Sequence, residues 1–202
     1  MTISEYIQSG ILEMYVLGIA TDEERKEVEE MASKHSEIRA EIERISKDIE
    51  LYAEMHAVKP SPTVKPFLLA SIDYSERIKN GEKPSFPPAL TNNSKIEDYK
   101  EWLDRADVVK PSDFTDFHAK IIGYTPQMIT AVIWISKMAP AEVHDNEHEK
   151  FLILEGTCDI TVGNDVHHMK AGDYFAIPLH KSHMVKVTSE IPCKAILQRI
   201  AA

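Results

Sequence analysis

Apolar positions along this chain keep two different periods. Up to about residue 80 they recur every three or four residues, the spacing of helices with one buried face. Thr2-x-x-Glu5 is a capping box and predicts a helix through about Leu17, with Tyr6, Ile7, Ile11 and Met14 on one side and Gly18 as its stop. Thr21-x-x-Glu24 opens a second, acidic helix through about Lys34. Ser36 is the expected cap of a third, whose Ile38, Ile42, Ile45, Ile49, Tyr52 and His56 form a narrow seam. Pro60 and Pro62 break it. Thr63 then caps a fourth helix carrying Phe67, Leu68, Ile72 and Ile78, with Pro66 in its first turn.

The segment 79–94 is rich in breakers: Asn80-Gly81, Pro84, Pro87-Pro88 and Asn92-Asn93. It reads as a linker, followed by a short helix opened by Ser94-x-x-Glu97 that packs as an arm on the next domain. From about Val108 the period becomes two. Strands are predicted at 129–135, 150–154, 158–162, 166–169, 174–177, 183–188 and 194–200, with turns at Gly163-Asn164-Asp165 and Ala171-Gly172-Asp173. Many short strands with regular turns indicate a sandwich or barrel. The expected fold class is therefore α+β in two domains: a helical bundle over residues 1–80, a linker at 81–93 and an all-β domain over 94–202.

Composition narrows the function. The chain has 202 residues and a formal net charge of −10, which argues against direct nucleic-acid binding and suits a basic protein partner. Residues 1–80 alone hold 16 Asp/Glu against 10 Lys/Arg. No apolar run is long enough to span a bilayer, and the start, MTISEYIQSG, lacks the pattern of a secretory signal. Cys158 and Cys193 form neither a CxxC motif nor a disulfide framework. These features together lead to the expectation of a reduced, cytoplasmic location.

The histidines are unevenly placed, seven of nine lying from His118 onward. Glu142, His144, His148 and Glu149 precede an apolar strand ending at Gly156, and Gly172, Pro178 and His183 come a hairpin later. Imidazoles and carboxylates so placed can converge on one divalent metal if the strands close into a barrel. On a strand beginning at Glu149, residues 149, 151 and 153 face one way, so His148 is expected to point outward.

The spacing resembles the two cupin motifs. His144 is followed by four residues, Glu149, six residues and Gly156. Gly172 is followed by five residues, Pro178, and then His183. Glu142 stands where the family has its first histidine, His180 where it has glycine and Val187 where it has asparagine. The resemblance implies a jelly-roll barrel and a metal held by Glu142, His144, Glu149 and His183. Zinc is the first expectation, with iron, manganese and nickel as alternatives.

The run YIQSGILEMYVLGIATDEERKEVEEMASKHSEIRAEIERI resembles the N-terminal domain of anti-sigma factors, and PSPTVKPFLLASI resembles its fourth helix. Zinc-binding members carry two cysteines after a histidine at the join of the second and third helices. Here Arg39 and Ile42 follow His35 at those positions, which places the domain in the non-zinc type. Helices first and cupin second is the order of ChrR-like anti-sigma factors. That resemblance implies a transcriptional regulator that sequesters an extracytoplasmic-function sigma factor, with the cupin as sensor and no catalytic residues. The alternative it leaves is a metal-dependent cupin dioxygenase with a helical oligomerisation cap, and a homodimer is compatible with both.

Overall fold

The structure, a computed structural model, describes residues 2–202. The chain divides into two compact units, one ending at Lys59 and the other running Pro60–Ala202.

The first unit is helical: α1 (Ile3–Ile7), α2 (Ile11–Val16), α3 (Asp22–Lys34) and α4 (Ser36–Met55). Both capping boxes form, with Thr2 and Thr21 each exchanging bonds with the glutamate three residues on. The first predicted helix is broken in two, because Gly10 takes a left-handed conformation (φ 84°) between α1 and α2. Leu12 is therefore buried and Met14 faces out. At the start of α4 the cap position belongs to His35, not Ser36, and no side chain bonds the open backbone there. The core is Tyr6, Leu12, Val28, Ile38 and Ile45, with Ile42 and Ile49 against it. The α4 seam thus packs as its spacing predicts until Tyr52, which is exposed.

The second unit begins with α5 (Val64–Lys79). The sequence assigns this helix to the helical domain. In the structure it packs on β1 (Phe117–Thr125), so the units part at Lys59 and Pro60 and not at 81–93. Ala70 is buried in the same core as the strands, and Phe67 lies 5.5 Å from Phe117, ring to ring. Arg77 donates to the Ile121 carbonyl at 2.6 Å and pairs with Asp73 and Glu82.

The remaining strands are β2 (Met128–Ile135), β3 (Met138–Glu142), β4 (Glu147–Glu155), β5 (Thr157–Val162), β6 (Asp165–Lys170), β7 (Tyr174–Ile177), β8 (His183–Val187) and β9 (Cys193–Ala201). They form a five-stranded sheet, β1-β2-β9-β4-β7, and a four-stranded sheet, β3-β8-β5-β6. All pairs are antiparallel. Sequence periodicity does not reveal β1 or β3. β1 carries a register shift at Ile121/Gly123, and β3 is short with Pro140 inside it. One core lies between the sheets and includes both cysteines as free, buried thiols.

A second core covers the other face of the five-stranded sheet, with Leu90, Tyr99, Val108, Ile122, Trp134, Leu152 and Ile196. Burial on both faces explains why β2 reads as a continuous apolar run. This second core is closed by the supposed linker. Residues 82–94 are a strap, leading to a 3₁₀ turn (Ile96–Tyr99) and α6 (Lys100–Leu103). Gln198, fully buried, accepts from Leu90 N–H at 2.6 Å and donates to the Pro88 carbonyl at 2.8 Å and to Thr130 Oγ1 at 3.1 Å. The strap passes so close to β1 that a Cβ on Gly123 would fall 2.2 Å from Pro87 Cδ. Among the described residues no helix is long and apolar enough to cross a membrane.

Replacing Gln198 by Leu leaves the buried Leu90 N–H and the buried Thr130 hydroxyl without partners, while the Pro88 carbonyl keeps its bond from the Tyr99 hydroxyl. The expected cost is about 2–4 kcal/mol, measured by urea unfolding followed through tryptophan fluorescence. An unchanged midpoint would mean that the strap is held by packing alone.

Candidate metal centre

Two cross-strand pairs face each other at one end of the barrel. Glu142, the last residue of β3, lies opposite His183, the first of β8, in the four-stranded sheet. Glu149 on β4 lies opposite Arg199 on β9 in the five-stranded sheet. Strand alternation turns Glu149 inward and His148 to solvent. His144 comes from the turn between β3 and β4, where its carbonyl accepts from His180 N–H at 3.0 Å. The four residues predicted as ligands converge: one donor atom from each of Glu142, His144, Glu149 and His183 lies within 4.8 Å of the others.

Glu149 is the centre of the group and only 1% exposed. Its Oε2 is 3.0 Å from His183 Nε2, and its Oε1 is 3.0 Å from Arg199 Nε and 3.5 Å from His144 Nε2. Burial pushes its pKa up. The neighbouring His144 imidazole, the bond to His183 and the charge of Arg199 outweigh that and hold it down at about 2. Glu142 moves the other way, raised by burial and by the neighbouring Glu149. His144 is raised by the neighbouring Glu149 carboxylate, against the effect of burial.

Two features of the donor set fit a divalent cation. The first is the orientation of the imidazoles. His144 Nδ1 meets Glu147 Oε1 at 3.3 Å and His183 Nδ1 meets the Lys181 carbonyl at 3.3 Å. Outer acceptors for the Nδ1 protons would leave each Nε2 as the ligand atom once a cation displaces its proton. His144 Nε2 is buried there with no hydrogen-bond partner among the described residues, and a coordination bond would satisfy it. The second feature is charge. Glu142, Glu147 and Glu149 surround Arg199, so with the carboxyls ionised and the imidazoles neutral, as ligands are, three carboxylates share one guanidinium and an excess of two negative charges remains. A bound cation of this kind would act as a Lewis acid. The chain's own part is to orient the two imidazoles and to hold two carboxylates in a largely water-free place.

Arg199 enters the cluster although it belongs to neither of the two motifs. Its only local signal is an arginine in the apolar strand KAILQRIA, and its partners lie 50 or more residues away. The remaining histidines stay outside the cluster. His180 takes a positive φ of 58° and contacts Asp145 at 3.1 Å near the surface. His168 pairs with Asp159, and the His167 ring stacks near Phe175.

Residues 132–198 match the family model of the cupin domain. A cupin domain is thus present in this chain, preceded by helices. No curated protein matches the sequence. Among solved structures, the cupin domain of Cnp3 from Schizosaccharomyces pombe is similar at 16% identity over 44% of this chain and 67% of its own, with a TM-score of 0.41. TT1209 from Thermus thermophilus is similar at 15% identity over 54% of this chain and 98% of its own, with a TM-score of 0.43. KdgF from Halomonas sp. is similar at 14% identity, with 45% and 85% coverage and a TM-score of 0.40.

His144→Ala removes the imidazole whose Nε2 is unpartnered and is expected to weaken zinc binding by about 100-fold or more, read by competition with a chromophoric chelator. The pH dependence has a definite sign. With its pKa raised in the metal-free protein, His144 keeps its proton above the ordinary value of about 6.5. The charged imidazole therefore stabilises the metal-free fold below that pH, and this contribution is lost as pH rises through the folded pKa. Zinc affinity changes oppositely, rising with pH over the same interval because the proton competes with the metal. Zinc titrations and thermal melts of the metal-free protein between about pH 5.5 and 8 check both trends.

Proposed function

We propose that this chain is an anti-sigma factor in which helices sequester an extracytoplasmic-function sigma factor and the metal-binding cupin is the sensor. The reading is supported first by the resemblance of residues 5–78 to anti-sigma domains. The structural observation that carries it is unpartnered apolar surface on the helices. In the first unit Leu17, Ile19, Leu51, Tyr52 and Met55 are all more than half exposed. Leu17, Ile45, Ile49 and Tyr52 line a groove there, edged by Glu13, Arg44 and Asp48. In the second unit α5 turns Val64, Leu68 and Ile72, spaced by four, to solvent. Single exposed apolar residues are ordinary, whereas clustered ones on a helix face mark interaction surfaces. The acidic first unit complements a basic partner. The partner class comes from the resemblance, and the geometry contributes the surface.

The test is co-purification of the tagged full-length chain with an extracytoplasmic-function sigma factor encoded beside it. A stable complex is expected, with transcription from the sigma factor's promoter repressed in vitro. Leu17→Glu with Tyr52→Glu is expected to weaken the complex at least about tenfold while leaving zinc binding unchanged. Failure of the wild-type chain to bind or inhibit that sigma factor would overturn the reading.

A further inference from the structure

Arg199 has two sets of neighbours. On one side are the carboxylates of the metal centre: Glu149 at 3.0 Å, Glu142 at 3.4 Å and Glu147 at 3.5 Å. On the other is α5, where the guanidinium carbon lies 4.5 Å from the centre of the Phe67 ring. Beside this pair is a cavity of about 110 Å³, whose walls include Phe67 and Ser71 of α5, Ile129, Glu147, Leu197 and Arg199. Tight cores do not move by small amounts, and a void next to a stacked pair supplies room for a second arrangement.

We propose that Arg199 and Phe67 form a relay through which occupancy of the metal centre sets how firmly α5 is docked on the barrel. The inference rests on the sensor reading above and names the element that carries the signal out of the cupin. Its physical basis is competition. Arg199 and a divalent cation at the cluster are like charges that need the same carboxylates. The Glu142 contact, at 3.4 Å, is long for a charged hydrogen bond and is the weaker of the two that Arg199 makes to the predicted ligands. When Glu142 and Glu149 serve a cation, Arg199 keeps Glu147 and the Phe67 face. A guanidinium that is less neutralised by carboxylate attracts an aromatic face more strongly. Phe67 then holds α5 more tightly in the loaded protein and less tightly in the metal-free one. The outer face of the same helix carries Val64, Leu68 and Ile72, so docking of α5 and presentation of that face are linked.

Hydrogen–deuterium exchange of the full-length protein, metal-free and zinc-loaded, tests the relay without any sigma factor. Amides of α5 are expected to exchange at least about threefold more slowly with zinc. In Phe67→Leu that response is expected to vanish, while zinc binding is retained with an affinity lower by about the same factor, as linkage requires. Phe67→Tyr, which keeps the ring, retains it. If Phe67→Leu does not fold, Phe67→Met takes its place. The relay is overturned if zinc fails to bind, if α5 exchange is unaffected or accelerated by zinc, or if Phe67→Leu responds as wild type does. Because the sigma factor is absent, these outcomes are independent of whether the chain inhibits one.

Discussion

A carboxylate that is almost wholly removed from water must be partnered from several sides, and Glu149 is such a group. An isolated buried charge costs several kcal/mol. Glu149 meets this cost with Arg199 from the neighbouring strand, His183 from the opposite sheet and His144 from a turn. No two of these partners share a strand. The requirement therefore ties the end of one sheet to the end of the other and fixes where β3, β4, β8 and β9 meet. The result is a barrel mouth whose inner surface is rich in carboxylates, with two imidazole Nε2 atoms directed at it. That surface is a chemical description of a cation site, and it arises from the arrangement that lets the carboxylate be buried.

The same arginine extends the site outward. A guanidinium is planar and can bond carboxylates at its edge while its face lies on an aromatic ring. Arg199 does both, so the metal centre and α5 share one side chain. Ala70, Phe67 and Arg77 hold the helix on β1, while its other face stays apolar and uncovered. A helix joined to a barrel in this way can belong to the cupin by packing and to a partner surface by its exposed side. The strap at 82–94 completes the unit on the opposite face, where Gln198, Tyr99 and Lys150 bond the backbone of Pro88 and Leu90. Its prolines suit that task, since a segment lying across a sheet without joining it gains little from N–H groups that would otherwise need partners.

How much of this was legible depended on the range over which each feature is determined. The capping boxes at Thr2 and Thr21, the α4 seam and the alternation that turns Glu149 in and His148 out are set within a few residues, and local pattern reports them. The candidate ligands were legible for a related reason. Glu142, His144 and Glu149 lie on consecutive elements, and turns on either side of β4 and β7 fix their spacing from Gly156, Gly172 and His183. Even within local range one choice was missed, since Gly10 reads as part of a helix until its left-handed backbone breaks α1 from α2.

The sequence by itself therefore determined a helical segment followed by a β-barrel, and the two imidazoles and two carboxylates at its mouth. Only the tertiary structure decided that α5 packs with the barrel, that the proline-rich segment is a strap and that Arg199 enters the site. The physical reason is that these depend on contacts between distant parts of the chain. Gln198 reaches Leu90 across 108 residues and Arg199 reaches Glu149 across 50. Such pairings are fixed by the register of β9 between β2 and β4, and no local periodicity contains that register.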